Sequence, residues 1–263
     1  MLKHKISPTV HDCHINLSEN GNWFNSDLDA SYERIVGELD AARITKAVLL
    51  AMPGVCTNVV FDSEKIDRSR FWCFGNLDFS RLDYSLSQIR DLNLDGIKIH
   101  PRVQSIGIDQ LLEMKFLSKL EDLELPLMIC GWQQSSTVPI DSLNPLYVDR
   151  LAKKYPKLPM ILSHMGGYRF WDAYTVARAN PLVFLDCSYY LKFFCGTSLE
   201  SDFFSALKTI DKKVIYGSDF PEVPVKPYLD AFLRKINDLD EKKASNILHG
   251  NLESLMNRKI HES

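Results

Sequence analysis

No apolar run in this sequence approaches the roughly 20 residues that a helix needs to span a bilayer. The opening residues, Met1-Leu2-Lys3-His4-Lys5, form no hydrophobic signal region. The six cysteines are scattered without a CxxC pair, which argues against a disulfide framework. The net charge is −3 and no basic stripe alternates with aromatic residues, so we expect neither nucleic acid nor a membrane as a partner. These absences favour a cytoplasmic protein with reduced thiols.

Short apolar segments alternate with helical patterns along the whole chain. Eight segments are rich in Ile, Leu, Val and Phe, as expected for strands that are covered on both faces. No GxGxxG follows the first of them, which argues against a dinucleotide-binding sheet. The predicted strands are Val10–Ile15, Lys46–Met52, Phe71–Leu77, Gly96–His100, Leu127–Gly131, Met160–His164, Val183–Ser188 and Lys213–Ser218.

Helical stripes of apolar residues lie between most of these strands. The predicted helices are Leu28–Ala42, Ile108–Leu123, Asn144–Tyr155, Arg169–Ala179, Leu199–Ile210 and Val225–Ile236. Eight units in roughly 220 residues favour closure into a (β/α)8 TIM barrel over an open sheet. A last helical segment, Glu241–Met256, is expected outside the barrel. With no repeat or linker, residues 1–263 are predicted to form one α/β domain.

Polar side chains stand where several of these strands end, and the C-terminal ends of barrel strands carry the chemistry. His14 and Asn16 are two residues apart on a strand, so their side chains should point the same way. His11 precedes His14 by three residues and is expected on the opposite face. An aspartate and a histidine, Asp219 and His164, follow the eighth and sixth strands.

Taken in order, these segments resemble the motifs of the amidohydrolase superfamily, in particular the branch that holds small decarboxylases, hydratases and lactonases. The first-strand segment resembles DxHxH, the fourth GxKxHP, the fifth a strand that ends in His-x-Gly, the sixth SHxGG and the eighth GSDFP. The C-terminal segment resembles a terminal helix that reads N-x-x-x-G-N. The segments are Asp12–Asn16, Gly96–Pro101, Leu125–Gly131, Ile161–Gly167, Tyr216–Pro221 and Asn246–Asn251.

The resemblance implies a role for each matching residue. Asp219 would be a metal ligand, a general base or both, and His164 a proton shuttle, a substrate-polarising group or a ligand. His14 would be a metal ligand. Asn16 and Cys130 stand where the family usually has histidine, so the ligand set is depleted. Asn16 can hydrogen-bond substrate, whereas Cys130 could ligate zinc, fill space or act as a nucleophile.

Strand four and the following loops supply the remaining candidates. Lys98 is expected to bind substrate or an oxyanion, or to form a buried ion pair with Asp219 or Asp12. His100 could contact a substrate carboxylate and take part in catalysis. Loop residues just beyond the strand ends are expected to bind substrate, and they include Arg102, Trp132 and Tyr189.

The resemblance predicts an enzyme that acts on a small carboxylated or carbonyl-containing molecule. It would cleave a lactone, ester or amide, or perform a related C–C cleavage such as decarboxylation, with Asp219 activating water. One divalent ion, zinc first, would be bound by His14 and Asp219 with His164 or Cys130 as a further ligand, or no metal would be needed. The alternatives are a metal-free lactonase-like enzyme and an inactive barrel that binds a small ligand or a partner protein. A homodimer is the default assembly.

Overall fold

The computed structural model describes residues 8–260, which contain eight parallel strands paired in chain order. The strands are β1 His11–Leu17, β2 Lys46–Ala51, β3 Phe71–Asn76, β4 Gly96–Ile99, β5 Leu127–Ile129, β6 Met160–Leu162, β7 Val183–Asp186 and β8 Val214–Ile215. Backbone hydrogen bonds close the barrel between β1 and the segment that follows β8. Cys13 N donates to Tyr216 O at 3.0 Å, and Asn16 N donates to Phe220 O at 2.9 Å. The predicted TIM barrel is therefore confirmed.

Helices connect most of the strands and surround the barrel. The α-helices are α1 Tyr32–Ala42, α2 Leu82–Asp91, α3 Pro101–Gln104, α4 Phe116–Asp122, α5 Leu146–Lys154, α6 Phe170–Ala179, α7 Tyr190–Phe194, α8 Ser198–Ile210, α9 Val225–Lys235, α10 Glu241–Ser245 and α11 Asn251–Met256. A π-helix, Asn246–Gly250, joins α10 to α11. None of the helices in the described part of the chain is long and apolar enough to cross a membrane.

Several of these helical regions differ from the sequence prediction, and two of them show why. Helix α2 was not predicted, because its buried face consists of Ser85 and Ile89, too few apolar residues for a clear stripe. The predicted helix Ile108–Leu123 is divided into a 3₁₀ turn, Gln110–Glu113, and α4. The hydrophobic pattern therefore located the strands better than the helix boundaries.

The strands separate two apolar layers. Outward side chains such as Leu49, Ile97 and Leu127 pack under the helices in the main core. Inward side chains form a second cluster inside the barrel, where Cys13, Val48, Leu50, Phe74, Met128, Ile161 and Ile215 meet Leu252, Leu255 and Met256 of α11. Helix α11 therefore forms the floor of the barrel, at the end opposite the polar strand termini.

A β-bulge on β1 turns two consecutive side chains toward the inside of the barrel. Asp12 pairs with Ala47 and Ile15 with Leu49, so β1 contains one residue more than β2 over this stretch. Cys13 consequently packs in the interior cluster, while His14 lines the cavity at the mouth. His11, two residues before Cys13, shares its inward face, contrary to the sequence expectation.

Candidate active site

A cavity of about 320 Å³ lies at the mouth of the barrel, over the carboxyl ends of the strands. The predicted site residues that line it are His14, Asn16, His100, Arg102, Trp132, His164, Tyr189 and Asp219. Two further predicted residues, Lys98 and Cys130, are buried beside the cavity and do not line it. Sequence reasoning missed Trp23 and Met52, which reach the cavity from the loops after β1 and β2.

Three of the lining residues converge on one point. His14, His164 and Asp219 each offer one donor atom, and these atoms lie within 4.8 Å of one another. His14 Nε2 is 3.2 Å from Asp219 Oδ1, and all three residues are buried. Strand β1 and the segments that follow β6 and β8 thus bring two imidazoles and a carboxylate to one wall of the cavity.

Asp186 and Ser188 orient these imidazoles. Asp186 Oδ2 lies 2.6 Å from His14 Nδ1, and Ser188 Oγ lies 2.9 Å from the same nitrogen and 3.0 Å from His164 Nδ1. Burial raises the pKa of Asp186, but the charge and hydrogen bond of His14 outweigh it and hold that pKa well below its ordinary value. Asp186 is therefore an ionised acceptor that fixes the tautomer of His14. Asp186 ends the apolar strand β7. A polar residue at the end of an apolar strand is the pattern that predicted the other site residues, and the same pattern could have predicted Asp186.

Left-handed backbone conformations present several of these side chains to the cavity. His164 has φ 57°, Tyr189 has φ 62° and Asp219 has φ 76°. Such values are uncommon for residues other than glycine and often mark functional sites. The Gln133 side chain supports the loop after β6, since it donates to the carbonyl oxygen of Gly166 at 2.8 Å.

Asn16 holds Asp219 rather than presenting its amide nitrogen to the cavity. Its Nδ2 donates to Asp219 Oδ1 and to Phe220 O, each at 2.9 Å. These two bonds fix the carboxylate relative to β1. At a position where the resemblance implies histidine, Asn16 thus places a hydrogen-bond donor beside Asp219.

Lys98 is wholly buried and lies near Ser163, to whose Oγ its Nζ donates at 2.8 Å. Among the residues that the structure describes, no carboxylate forms an ion pair with it. Burial lowers the pKa of Lys98, while the charges of Cys130 and Asp186 act in the opposite direction. The predicted partnership with Asp12 or Asp219 is therefore not a direct contact.

Cys130 lies between the imidazoles of His100 and His164. Burial raises the pKa of its thiol, but the charges of these two histidines outweigh that effect and lower it well below the ordinary value. Arg102 Nη2 is 4.0 Å from the sulfur. Cys130 does not belong to the donor group formed by His14, His164 and Asp219.

A cationic and aromatic wall faces this donor group. Arg102 Nη1 donates to Gln134 O at 3.3 Å, whereas its buried Nε has no hydrogen-bond partner in the described part of the chain. The Trp132 ring meets those of His164 and Tyr189 edge-on, with centroids 6.1 and 5.3 Å away. A guanidinium group and aromatic rings therefore line the cavity together with the donor group.

The sequence profile of a family described as amidohydrolase matches residues 12–253. Compared with curated protein sequences, the chain has no significant match. Three solved structures show the similarity of the fold. An uncharacterised TIM-barrel protein from Bordetella bronchiseptica has a TM-score of 0.80 and 20% identity, over 95% of this chain and 99% of that one.

A probable 2-pyrone-4,6-dicarboxylic acid hydrolase from Acinetobacter baumannii with bound citric acid has a TM-score of 0.68 and 15% identity, over 94% of this chain and 99% of its own. A 5-carboxyvanillate decarboxylase from Novosphingobium aromaticivorans, complexed with manganese, has a TM-score of 0.67 and 16% identity, over 95% of each chain. These structural similarities show the fold. The family profile matches nearly the whole sequence, residues 12–253. The chain belongs to the amidohydrolase family.

Proposed function

We propose that the chain is an enzyme that cleaves a small carboxylated molecule at the mouth of the barrel, with hydrolysis of a lactone, ester or amide as the first choice. A related C–C cleavage, such as decarboxylation, would use the same groups. The observation that carries the proposal is the convergence of His14, His164 and Asp219 within 4.8 Å in a cavity of about 320 Å³. Structural neighbours whose names include a probable dicarboxylic acid hydrolase and a decarboxylase support it.

The donor group fits one divalent ion. His14 Nδ1 is taken up by Asp186, which leaves Nε2 free, and His164 Nδ1 lies 3.2 Å from the Ser188 carbonyl oxygen. Two oriented imidazoles and a carboxylate form a typical three-ligand catalytic site for zinc, with a position left for water. When bound, such an ion would lower the pKa of its water toward neutrality and polarise a substrate carbonyl.

The chain's own side chains would transfer the protons and stabilise the oxyanion. Asp219 would accept the proton of the attacking water at Oδ2, because Oδ1 already receives the amide of Asn16. In the metal-bound form, where His164 is a ligand, Asp219 would return that proton to the leaving oxygen or nitrogen. In a metal-free form, His164 would donate it instead. The buried cation of Lys98 would add positive potential beneath the developing oxyanion.

Arg102 would select the substrate. Its Nε lacks a hydrogen-bond partner in the described residues, and it stands beside His100, whose Nε2 lies 3.4 Å from Arg102 Nη2. Guanidinium groups bind carboxylates in a bidentate manner. Trp132 and Tyr189 would pack against the body of the substrate, and a volume of about 320 Å³ suits one small molecule.

A metal-free form of the same reaction is the second candidate. The observation that favours it is the Asn16 amide, which donates at 2.9 Å to the same Asp219 oxygen that faces His14 Nε2. In that form Asp219 alone would activate water, and Lys98 with His164 would stabilise the oxyanion.

The test combines elemental analysis with turnover. Protein purified without chelators is analysed for bound metal, and small lactones, esters, amides and aromatic carboxylic acids are screened as substrates. Because Asp219 is the proposed proton acceptor, Asp219→Asn is expected to lower kcat/KM by about 10²–10⁴ while circular dichroism stays unchanged.

Three outcomes separate the candidates. Loss of activity on chelation favours the metal enzyme, and full activity without metal favours the metal-free form. Ligands that raise the melting temperature of both wild type and Asp219→Asn, with no turnover in either, would instead identify an inactive binding barrel and refute the proposal.

A further inference from the structure

A second group of metal-binding side chains lies at the opposite end of the barrel. His11 begins β1, His249 lies in the π-helix and Glu253 lies in α11. His11 Nε2 is 2.8 Å from Glu253 Oε1, and His249 Nδ1 is 3.5 Å from Glu253 Oε2. One donor atom from each of the three residues lies within 4.8 Å of the other two.

We propose that His11, His249 and Glu253 form a second zinc site, which fastens the C-terminal helical segment to the first strand. This floor site is separate from the proposed active site and does not depend on it. Two imidazole nitrogens and a carboxylate are ordinary zinc ligands, and the fourth position would hold water.

The spacing of the donor atoms suits a tetrahedral ion. With bonds of about 2.0–2.1 Å, two ligands of a tetrahedral zinc lie about 3.3 Å apart. The two distances to the carboxylate, 2.8 and 3.5 Å, lie on either side of that value. These distances run to different carboxylate oxygens, Oε1 and Oε2, and one donor atom from each of the three residues lies within 4.8 Å of the other two.

Each imidazole has a hydroxyl partner on the nitrogen that faces away from the proposed ion. Thr45 Oγ1 lies 3.0 Å from His11 Nδ1, and Ser245 Oγ lies 3.0 Å from His249 Nε2. Thr45 can itself donate to Val10 O at 3.3 Å, so its oxygen can accept the N–H of His11. In those tautomers, His11 Nε2 and His249 Nδ1 both present lone pairs to the carboxylate, an arrangement that a cation between them would stabilise.

The unpaired nitrogen of His249 supports an ion over a simple hydrogen-bond network. His249 Nδ1 is buried and makes no hydrogen bond within the described range of residues 8–260. Such a buried polar atom ordinarily has a partner.

Local structure makes the group accessible as well as ordered. The His11 ring is nearly buried and packs edge-on against Trp72, with centroids 5.9 Å apart. The Glu253 side chain is 42% exposed and that of His249 is 26% exposed. The buried His11 would hold the site in place. The partly exposed side chains of His249 and Glu253 would let the ion and its water enter.

The test uses Co²⁺ as the probe, since tetrahedral Co²⁺ absorbs visible light. The double substitution His14→Asn and Asp219→Asn in the full chain removes two donors at the mouth. This mouth variant is freed of metal with a chelator and titrated with Co²⁺. One equivalent of tetrahedral Co²⁺ is expected per chain. Adding Glu253→Gln or His249→Ala is expected to weaken binding at least tenfold, while Glu241→Gln, the same charge change on an exposed residue of α10, leaves it unchanged.

A parallel titration of wild-type protein guards against misfolding of the mouth variant. The single variant Glu253→Gln, with its mouth residues intact, should bind one equivalent of Co²⁺ less than wild type. Zn²⁺ should raise the melting temperature of wild type more than that of Glu253→Gln. Equal binding by Glu253→Gln and Glu241→Gln, or no Co²⁺ bound outside the mouth, would overturn the floor site.

Discussion

Asp186 provides a sharp test of how the site is organised, because its carboxylate receives three hydrogen bonds. His14 Nδ1 lies 2.6 Å from Oδ2, Ser188 N donates to Oδ1 at 2.6 Å, and Ser188 Oγ lies 2.9 Å from Oδ2. In Asp186→Asn the single amide oxygen can stay with Ser188 N. The amide N–H₂ group then faces His14 Nδ1 and favours the opposite tautomer, with the proton on Nε2.

The size of the effect follows from the bond that is lost. A hydrogen bond to a charged group contributes about 1.5–3 kcal/mol, which corresponds to about a 10- to 150-fold change in an equilibrium constant. Asp186→Asn is therefore expected to weaken metal binding at the mouth by about 10- to 100-fold, the usual range for a group that orients a ligand. The loss in kcat/KM should be of similar size.

Three measurements check this expectation together. Competition with a chromophoric chelator gives the zinc affinity, steady-state kinetics give kcat/KM, and nitrogen NMR of labelled histidines gives the tautomer of His14. Ser188→Ala is the matched control, because it removes a hydroxyl but keeps the carboxylate, and it should cost less than tenfold. If His14 in Asp186→Asn keeps its proton on Nδ1 with unchanged zinc affinity, Asp186 does not orient it and the reasoning is refuted.

Three further predictions concern substrate, metal and thiols. Arg102→Gln is expected to raise KM for carboxylated substrates about 10- to 100-fold with a smaller change in kcat; an equal rise for uncharged analogues would contradict carboxylate binding. Asn16→His adds an imidazole beside Asp219 and is expected to raise zinc affinity at least ~10-fold, measured against Asn16→Ala; unchanged affinity would show that position 16 does not face the ion. Burial raises the pKa of Cys56 and Cys73 to about 12, so at pH 8 only about one in 10⁴ of each is thiolate. Iodoacetamide should therefore label the exposed Cys195 before Cys56 and Cys73, as mass spectrometry of peptides can verify; rapid labelling of Cys73 in folded protein would contradict the packing.

The sequence predicted the barrel well because its strands are covered on both faces. Runs such as residues 47–52 are continuously apolar, and that pattern marks a buried parallel strand without any knowledge of the tertiary structure. Helix α2 was not predicted because much of its surface is exposed to solvent. The bulge on β1 was not predicted either, because an inserted residue leaves no sign in the composition of the strand. It becomes visible only in the pairing of β1 with β2.

The residues of the mouth were predictable to the extent that they end strands. His14, His164 and Asp219 were each placed by that rule, and they do lie close together. Their partnership with Asp186 was not foreseen, because it depends on which strand lies next to β8 and on the direction of each side chain. The partner of Lys98, the Ser163 hydroxyl, was likewise not foreseen, because it depends on depth within the barrel, which periodicity does not give.

The floor of the barrel has a consequence for the order of events during synthesis. Leu252, Leu255 and Met256 close an interior that begins with Cys13, so contacts at the first strand await residues made more than 230 positions later. A nascent or truncated chain that stops at Gly250 would leave that interior open to water. Such a chain should be a target for chaperones, and a reporter fused after position 250 should gain solubility only once α11 is included.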